Sequence, residues 1–301
     1  MADHPLVPAL VGPTGSGKSA VAMAVAEALG LEIVAVDAFT VYRGMDIGTA
    51  KPMPEDRRRV RHHMVDVLSP TEVCSVEWFQ HAARSAIDDV LARGATPLLV
   101  GGSGLYYRAV VDPLEFPPTD ADVRRRLEHR YRDDAAGAHA TLAAADPDAA
   151  ARIDPANVRR TVRALEVIEL TGRPFSDWRR AWDRWSPIYP GLRVVGIDCD
   201  RTALGDRIHA RVDAMLDAGW LEEVRTLSRL ALSTTAAQAI GYAELLDHLA
   251  GRLPLDDAVA RITARTRQFA ARQQRWFRQD PRVEWVDADH APDRLRLRCT
   301  S

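Results

Sequence analysis

The 301-residue sequence predicts an α/β protein, a parallel sheet with helices on both faces, interrupted by an all-helical insertion. Three observations carry the prediction. Apolar runs of strand length alternate with helical stretches in roughly the first third of the chain. From Asp120 to about Trp185 the chain turns helical, rich in Ala and Arg, with no strand candidate. Strand character then returns at residues 193–198 and 283–286.

Taken in order, residues 6–11 form a short buried strand, and residues 18–29 a helix closed by Gly30. Residues 31–36 are a second strand ending at Asp37. Residues 76–93 show helical periodicity (Val76, Phe79, Ala83, Ile87, Val90, Leu91), with Gly94 as the stop. Residues 97–100 are another buried strand, broken by Gly101, Gly102, Ser103 and Gly104. Strands that are apolar throughout, rather than alternating, belong to sheets covered on both faces. Pro113, Pro117 and Pro118 mark a linker, and two or three helices are expected between the last two strands. The economical division is a core of residues 1–116 and 190–301 with a helical insertion at 117–189, roughly 70 residues and within the range of a small domain.

Composition limits the function classes. Hydrophobic residues make up 47% and charged residues 27%, so the chain can bury a core and is not predominantly disordered. The longest apolar stretches fall far short of the roughly 20 residues of a membrane span, and the first runs straight into glycine-rich sequence rather than a signal cleavage site. Cys74, Cys199 and Cys299 are too few and too scattered for a disulfide framework or a zinc site. The expectation is a cytoplasmic, membrane-free monomer. Net charge is −2, so no global positive field advertises a nucleic-acid partner. Lysine occurs only at Lys18 and Lys51; genome composition accounts for most of the arginine excess.

Gly12, Pro13, Thr14, Gly15, Ser16, Gly17, Lys18 and Ser19 fit G-x-x-x-x-G-K-[ST] at every fixed position, after a predicted strand and before a predicted helix. The core is therefore expected to be phosphate-loop NTPase-like. Glycines let successive N–H groups point inward as an anion nest, and the helix N-terminus adds partial positive charge. Lys18 can reach a terminal phosphate, and the Ser19 hydroxyl can ligate Mg²⁺. The motif by itself establishes only that linked phosphates bind. Asp37 and Asp198 each end a strand, but neither is followed by the acidic or glutamine partner that hydrolysis requires. A small-molecule or nucleoside kinase, which needs one carboxylate to take a hydroxyl proton, stays open, as does an RNA-binding NTP-dependent switch.

The segment Val41-Tyr-Arg-Gly-Met-Asp-Ile-Gly-Thr-Ala-Lys-Pro52 is not a generic loop. With it, the chain resembles the tRNA dimethylallyltransferase (isopentenyl-tRNA transferase) family. The likeness also runs through His62-His63-Met64-Val65-Asp66-Val67, Val100-Gly-Gly-Ser-Gly-Leu-Tyr106, Arg163-Ala-Leu-Glu-Val167 and Thr171-Gly-Arg-Pro174. It continues through MLDAGWLEEV from Met215, Gln238-Ala-Ile-Gly-Tyr242, and TRQFAARQQRWFR from Thr266, in that order over nearly the whole chain. The resemblance implies transfer of the dimethylallyl group from dimethylallyl diphosphate to N6 of the adenosine 3′-adjacent to the anticodon, with diphosphate released. Gly12–Ser19 would then hold the donor diphosphate, with Mg²⁺ on Ser19. Lys18 would stabilise charge on the leaving group, and Asp37 would act as the base for the amine. Ser103 matches a substrate-contacting Thr or Ser of the family, and Thr14 and Ser16 are candidate donors to the diphosphate or the adenosine. After the aspartate the family carries Ser, a variable residue and Gln; here stand Ala38, Phe39 and Thr40, which puts one hydroxyl where a carboxamide would read a base edge.

The tRNA contacts implied include Asp37, Ala38, Phe39, Thr40 and Ser103. Residues 261–279 hold Arg261, Arg265, Arg267, Arg272, Arg275 and Arg278 and no Asp or Glu. On a helix, Arg261, Arg265, Gln268, Arg272 and Arg275 share one stripe, and Ile262, Phe269, Trp276 and Phe277 another. The first is a face suited to tracking phosphates. Arg159, Arg160, Thr161, Val162 and Arg163 match a tRNA-contacting stretch that begins with Gln in the family, and Gln238 belongs near the adenine pocket. Arg57–Arg61 and Arg124–Arg126 are flanked by acids and read as solvated helix faces, with Arg124 also kept as a tRNA-contact candidate. His62 and His63, adjacent on an extended segment, point opposite ways and fit packing better than metal binding. Trp178, Trp182 and Trp185 fall at helical spacing and form an apolar face.

Overall fold

The computed structural model describes residues 4–300, with the backbone alone described at 179–181, 201 and 297–300; the Cys299 thiol therefore lies outside the described residues. The chain divides into two compact units, Met1–Asp112 with Pro187–Ser301, and Pro113–Ser186.

The first unit is built on β1 (Leu6–Val11), β2 (Glu32–Val36), β3 (His62–His63), β4 (Pro97–Gly101), β5 (Gly191–Asp198) and β6 (Val283–Asp287). They form one sheet in the order β3-β2-β4-β1-β5-β6. Every pairing is parallel; Ala9 of β1 lies opposite Leu99 on one side and Val194 on the other. Alternate strand residues serve opposite faces. One face packs Val7, Ala9, Val11 and Leu99 with Phe79, Ile87 and Phe277. The other packs Leu10, Leu98, Val195 and Ile197 with Ala22, Val25 and Leu295. Burial on both faces is why these strands read as unbroken apolar runs.

The helices of this unit in the first half are α1 (Lys18–Leu29), α2 (Pro54–Arg59), α3 (Val76–Ala92) and α4 (Gly104–Val111). The Ser75 side chain caps α3 by accepting the Trp78 N–H at 3.1 Å. The second unit contains α5 (Ala121–Arg130), α6 (Ala135–Ala145), α7 (Pro147–Ala150) and α8 (Val158–Thr171), then a 3₁₀ stretch at Phe175–Asp183. Side chains of Asp120, Asp134 and Asn157 cap α5, α6 and α8. Leu127, Tyr131, Leu142, Val162 and Leu165 are part of its own core.

Between β5 and β6 the structure has four α-helices rather than two or three: α9 (Arg201–Asp217), α10 (Trp220–Leu227), α11 (Tyr242–Leu249) and α12 (Leu255–Phe277). The two extra helices are eight residues each, too short for a periodic pattern to stand out, and left-handed Gly219 separates α9 from α10. Beyond β6 lies α13 (Ala291–Thr300). Among the described residues no helix is long and apolar enough to cross a membrane.

Candidate active site

The phosphate loop bridges β1 and α1. Its conformation depends on glycine: Gly15 and Gly17 have φ of 80° and 88°, and Gly17 is the N-cap of α1. The Ser16 hydroxyl is buried and takes no hydrogen bond from the described residues, so an oxygen-rich ligand in the loop would satisfy it. Thr14 N–H donates to Gln273 Oε1 at 2.8 Å, which ties the loop to α12 across 259 residues of sequence. Gly102 makes room for that tie, because a Cβ there would sit 2.6 Å from Gln273 Nε2 and 2.9 Å from the Gly12 carbonyl.

A cleft of about 570 Å³ opens along the loop, lined by Gly15, Lys18, Ser19, Asp37, Arg211 and Gln273 among others. Lys18 donates to the Pro13 carbonyl at 2.8 Å. Burial, then the neighbouring Arg211 guanidinium, pushes its ammonium down to about 8, with Asp37 pulling the other way. Burial likewise lowers Arg211, again opposed by Asp37. The pair is an electropositive floor awaiting negative charge. Asp37 stands at the end of β2, where one carboxylate oxygen accepts the Phe39 N–H at 2.9 Å; the other takes no hydrogen bond from the described residues. The acid next to the loop strand is differently placed. Asp198, ending β5, is bound by Arg278 at 2.5 Å and Gln274 at 3.2 Å.

The segment after Asp37 is held rigidly. Glu223 of α10 accepts the Asp46 and Ile47 N–H groups at 2.8 Å each and the Tyr242 hydroxyl at 2.6 Å. Buried Lys51 reaches the Tyr42 carbonyl, Asp46 at 2.7 Å and Asp66 at 2.5 Å. The second lysine of the chain is therefore a brace, and the segment presents Thr49 to the cleft. His63 pairs with Glu32 at 2.6 Å, while His62 contacts the Val60 carbonyl at 2.8 Å. His63 is taken up by that pairing, whereas His62 lines the larger cleft.

A smaller cleft of about 100 Å³ shares Thr14, Asp37, Thr49, Arg211 and Phe269 with the first and continues between α9, α10 and α12. Phe39 lines it; Thr40 lines the larger one, its hydroxyl 3.5 Å from the Asp37 carbonyl. Ala38 is half-buried beside them. Gln238 is exposed, directly before Ala239 and Ile240 of the smaller cleft. Ser103 lines neither; it begins α4 next to cleft-lining Gly102.

On α12, Arg261, Arg265, Gln268, Arg272 and Arg275 are all exposed, and Ile262, Ala270, Gln273 and Phe277 are buried. Arg267 is exposed too and donates to the Gly205 carbonyl at 3.2 Å. Within the second unit, Arg159 and Arg160 are exposed. Four other contact candidates there are turned inward or already paired. Thr161 and Val162 are 0% and 1% exposed, because helical geometry turns them into the unit's core. Arg163 and Arg124 instead clamp the buried Glu166 carboxylate, at 3.0 Å and 2.7 Å.

Sequence reasoning passed over Arg211 and Gln273. The signal was present: each interrupts an apolar helical stripe, Arg211 between Ile208 and Met215, Gln273 between Phe269 and Phe277. A polar residue on a core-facing stripe needs a partner, and here both face the loop.

Fold and site together define a phosphate-loop α/β protein whose cleft sets the unpartnered oxygen of Asp37 beside an anion cradle. The chain matches the IPP transferase model over residues 40–280 and the isopentenyl transferase model over residues 5–69. It belongs to the IPP transferase family. It is similar to the tRNA dimethylallyltransferase of Bifidobacterium longum, 47% identical over 94% of this chain and 86% of that one, and to that of Streptomyces coelicolor, 49% identical over 97% and 93%. Among solved structures it resembles the tRNA isopentenylpyrophosphate transferase of Bacillus halodurans (TM-score 0.69, 37% identity, 97% and 94% covered). It also resembles a eukaryotic dimethylallyltransferase acting on tRNA (TM-score 0.79, 26% identity, 94% and 74% covered). These relatives are transferases of alkyl groups; none of them favours the kinase alternative.

Proposed function

We propose that the chain transfers the dimethylallyl group of dimethylallyl diphosphate to N6 of the adenosine 3′-adjacent to the anticodon in tRNA. The observation that carries this reading is the convergence of Lys18, Arg211 and Asp37 on one cleft fed by the phosphate loop. Loop N–H groups and the Lys18 and Arg211 cations stabilise charge on the departing diphosphate. An allylic carbon tolerates cationic character, so easing the leaving group is much of the task. The C1–O bond breaks as C1–N6 forms, and Asp37 takes the proton that N6 sheds. Ser19 fits Mg²⁺: it is exposed in the cleft on the first turn of α1 and would hold the ion together with substrate phosphates and water. When bound, the ion neutralises charge on the diphosphate.

Exposed Arg261, Arg272 and Arg275 of α12 suit the backbone of the anticodon stem-loop, whereas Arg265 is paired with Glu244; within the second unit, Arg159 and Arg160 are exposed. The adenine has to leave its stack to bring N6 to Asp37. One chain supplies both clefts, which supports a monomer, and free Cys74 and Cys199 thiols fit a reducing cytoplasm. The test is incubation with unmodified tRNA, dimethylallyl diphosphate and Mg²⁺, followed by mass analysis of the nucleosides. A C5H8 increment on adenosine is expected. No increment, together with phosphate transfer from ATP, overturns the reading.

A further inference from the structure

The loop and Asp37 account for the diphosphate and the nitrogen and leave the hydrocarbon between them unassigned. The smaller cleft begins at the residues it shares with the diphosphate cleft and continues to Val212, Met215, Trp220, Ile240 and Ile262. Resting on the function proposed above, we infer that this cleft seats the alkyl tail of the donor and that Met215 limits it to one isoprene unit.

Size, length and polarity each support this. An apolar cavity of about 150 Å³ accepts benzene, with its six carbons. A space of about 100 Å³ is therefore closer to a five-carbon unit than to ten carbons. Met215 lies four residues beyond Arg211 on α9, about 6 Å at the helical rise. That is close to the span of one isoprene unit measured from the diphosphate side. Adenine would need donors and acceptors along this wall. Its unshared residues carry no carboxylate or carboxamide; they offer the Thr266 hydroxyl, already donating to the Ile262 carbonyl at 2.7 Å, and the Trp220 Nε1–H beside Gly48.

The far wall differs in stiffness. Trp220 is packed edge-on against Tyr242 at 5.8 Å, and a Cβ at Gly241 would lie 2.0 Å from its ring, so it has no room to retreat. Met215 is half-buried and unbranched, which makes it the adjustable boundary.

The experiment offers tRNA and Mg²⁺ with either dimethylallyl or geranyl diphosphate to wild type, Met215→Ala and Met215→Phe. Wild type is expected to add C5H8 readily and C10H16 only slowly. Met215→Ala should add C10H16 at least about tenfold faster than wild type, while its KM for dimethylallyl diphosphate rises about tenfold. Met215→Phe should raise that KM and leave tRNA affinity unchanged. If wild type transfers C5H8 but neither variant alters donor preference or donor KM, the length limit is wrong. If wild type transfers no C5H8, the proposed function fails and takes this inference with it.

Discussion

Raising the pH from about 7 to about 9 is expected to weaken dimethylallyl diphosphate binding about tenfold, because Lys18 of the free protein titrates at about 8. Burial and the Arg211 charge disfavour its protonated form, and only that form holds the diphosphate. A bound polyanion restores the ordinary preference for charge, so the bound-state titration lies higher. Below about 8 the free lysine is charged and affinity is flat; above it, each pH unit costs a factor approaching ten until the bound-state value is reached. Calorimetric titration of dimethylallyl diphosphate without tRNA isolates this step from chemistry. Lys18→Arg keeps its charge throughout the range and should bind more weakly at about pH 7 yet lose little more by about pH 9. An equal fall in wild type and Lys18→Arg would refute the reasoning, as would no fall in wild type.

Asp37→Asn should lower single-turnover prenylation by about 10²–10⁴ with tRNA affinity within twofold or so; a large loss of RNA binding would make Asp37 structural. Arg272→Ala with Arg275→Ala should weaken tRNA binding and reduce the salt slope by about one unit per lost phosphate contact, as read by filter binding across salt concentrations. An unchanged slope returns that face to ordinary surface. Gln273→Leu leaves the Thr14 N–H without its acceptor, a cost of about 1–3 kcal/mol. It should appear as a raised KM for the donor with tRNA affinity intact, and equal losses for both substrates would contradict it.

Long periodic elements and the loop were legible because their signals are local. The α3 stripe, the glycines before Lys18 and the apolar strands each state their structure within a window of about a dozen residues. The pairing of Thr14 with Gln273 is not local, and no window contains both. Arg211 sits in a chain crowded with arginines, where only its place on the apolar side of α9 sets it apart. Residues 159–163 split for a different reason. Read as a string they look like one contact surface, but about 100° of rotation per residue exposes Arg159 and Arg160, turns Thr161 and Val162 inward and hands Arg163 to Glu166. Buried Glu166 is itself the kind of feature that only a fold explains, since its partners lie 42 residues upstream and three before it.

Loops of this kind also serve kinases and hydrolases, and what redirects this one is where the acids fall in the sheet. Strand β1 has two neighbours. One, β4, runs into Gly101 and Gly102 and brings no carboxylate. The other, β5, ends in Asp198, which Gln274 of α12 and Arg278 at its C-terminal cap engage. The carboxylate left for chemistry comes from β2, two strands from the loop strand, or about 10 Å at ordinary strand spacing. A base for attack on phosphorus takes its proton from a hydroxyl lodged directly against the terminal phosphate. A base for attack on carbon has to stand off from the diphosphate by the C1–N6 reach, with room between for the alkyl group. The offset of β2, with the apolar cleft opening at Asp37, favours the second arrangement. On the proposed reading, an anion cradle shared with phosphoryl-transfer enzymes becomes a leaving-group site, because the sheet places its free acid beside carbon rather than phosphorus.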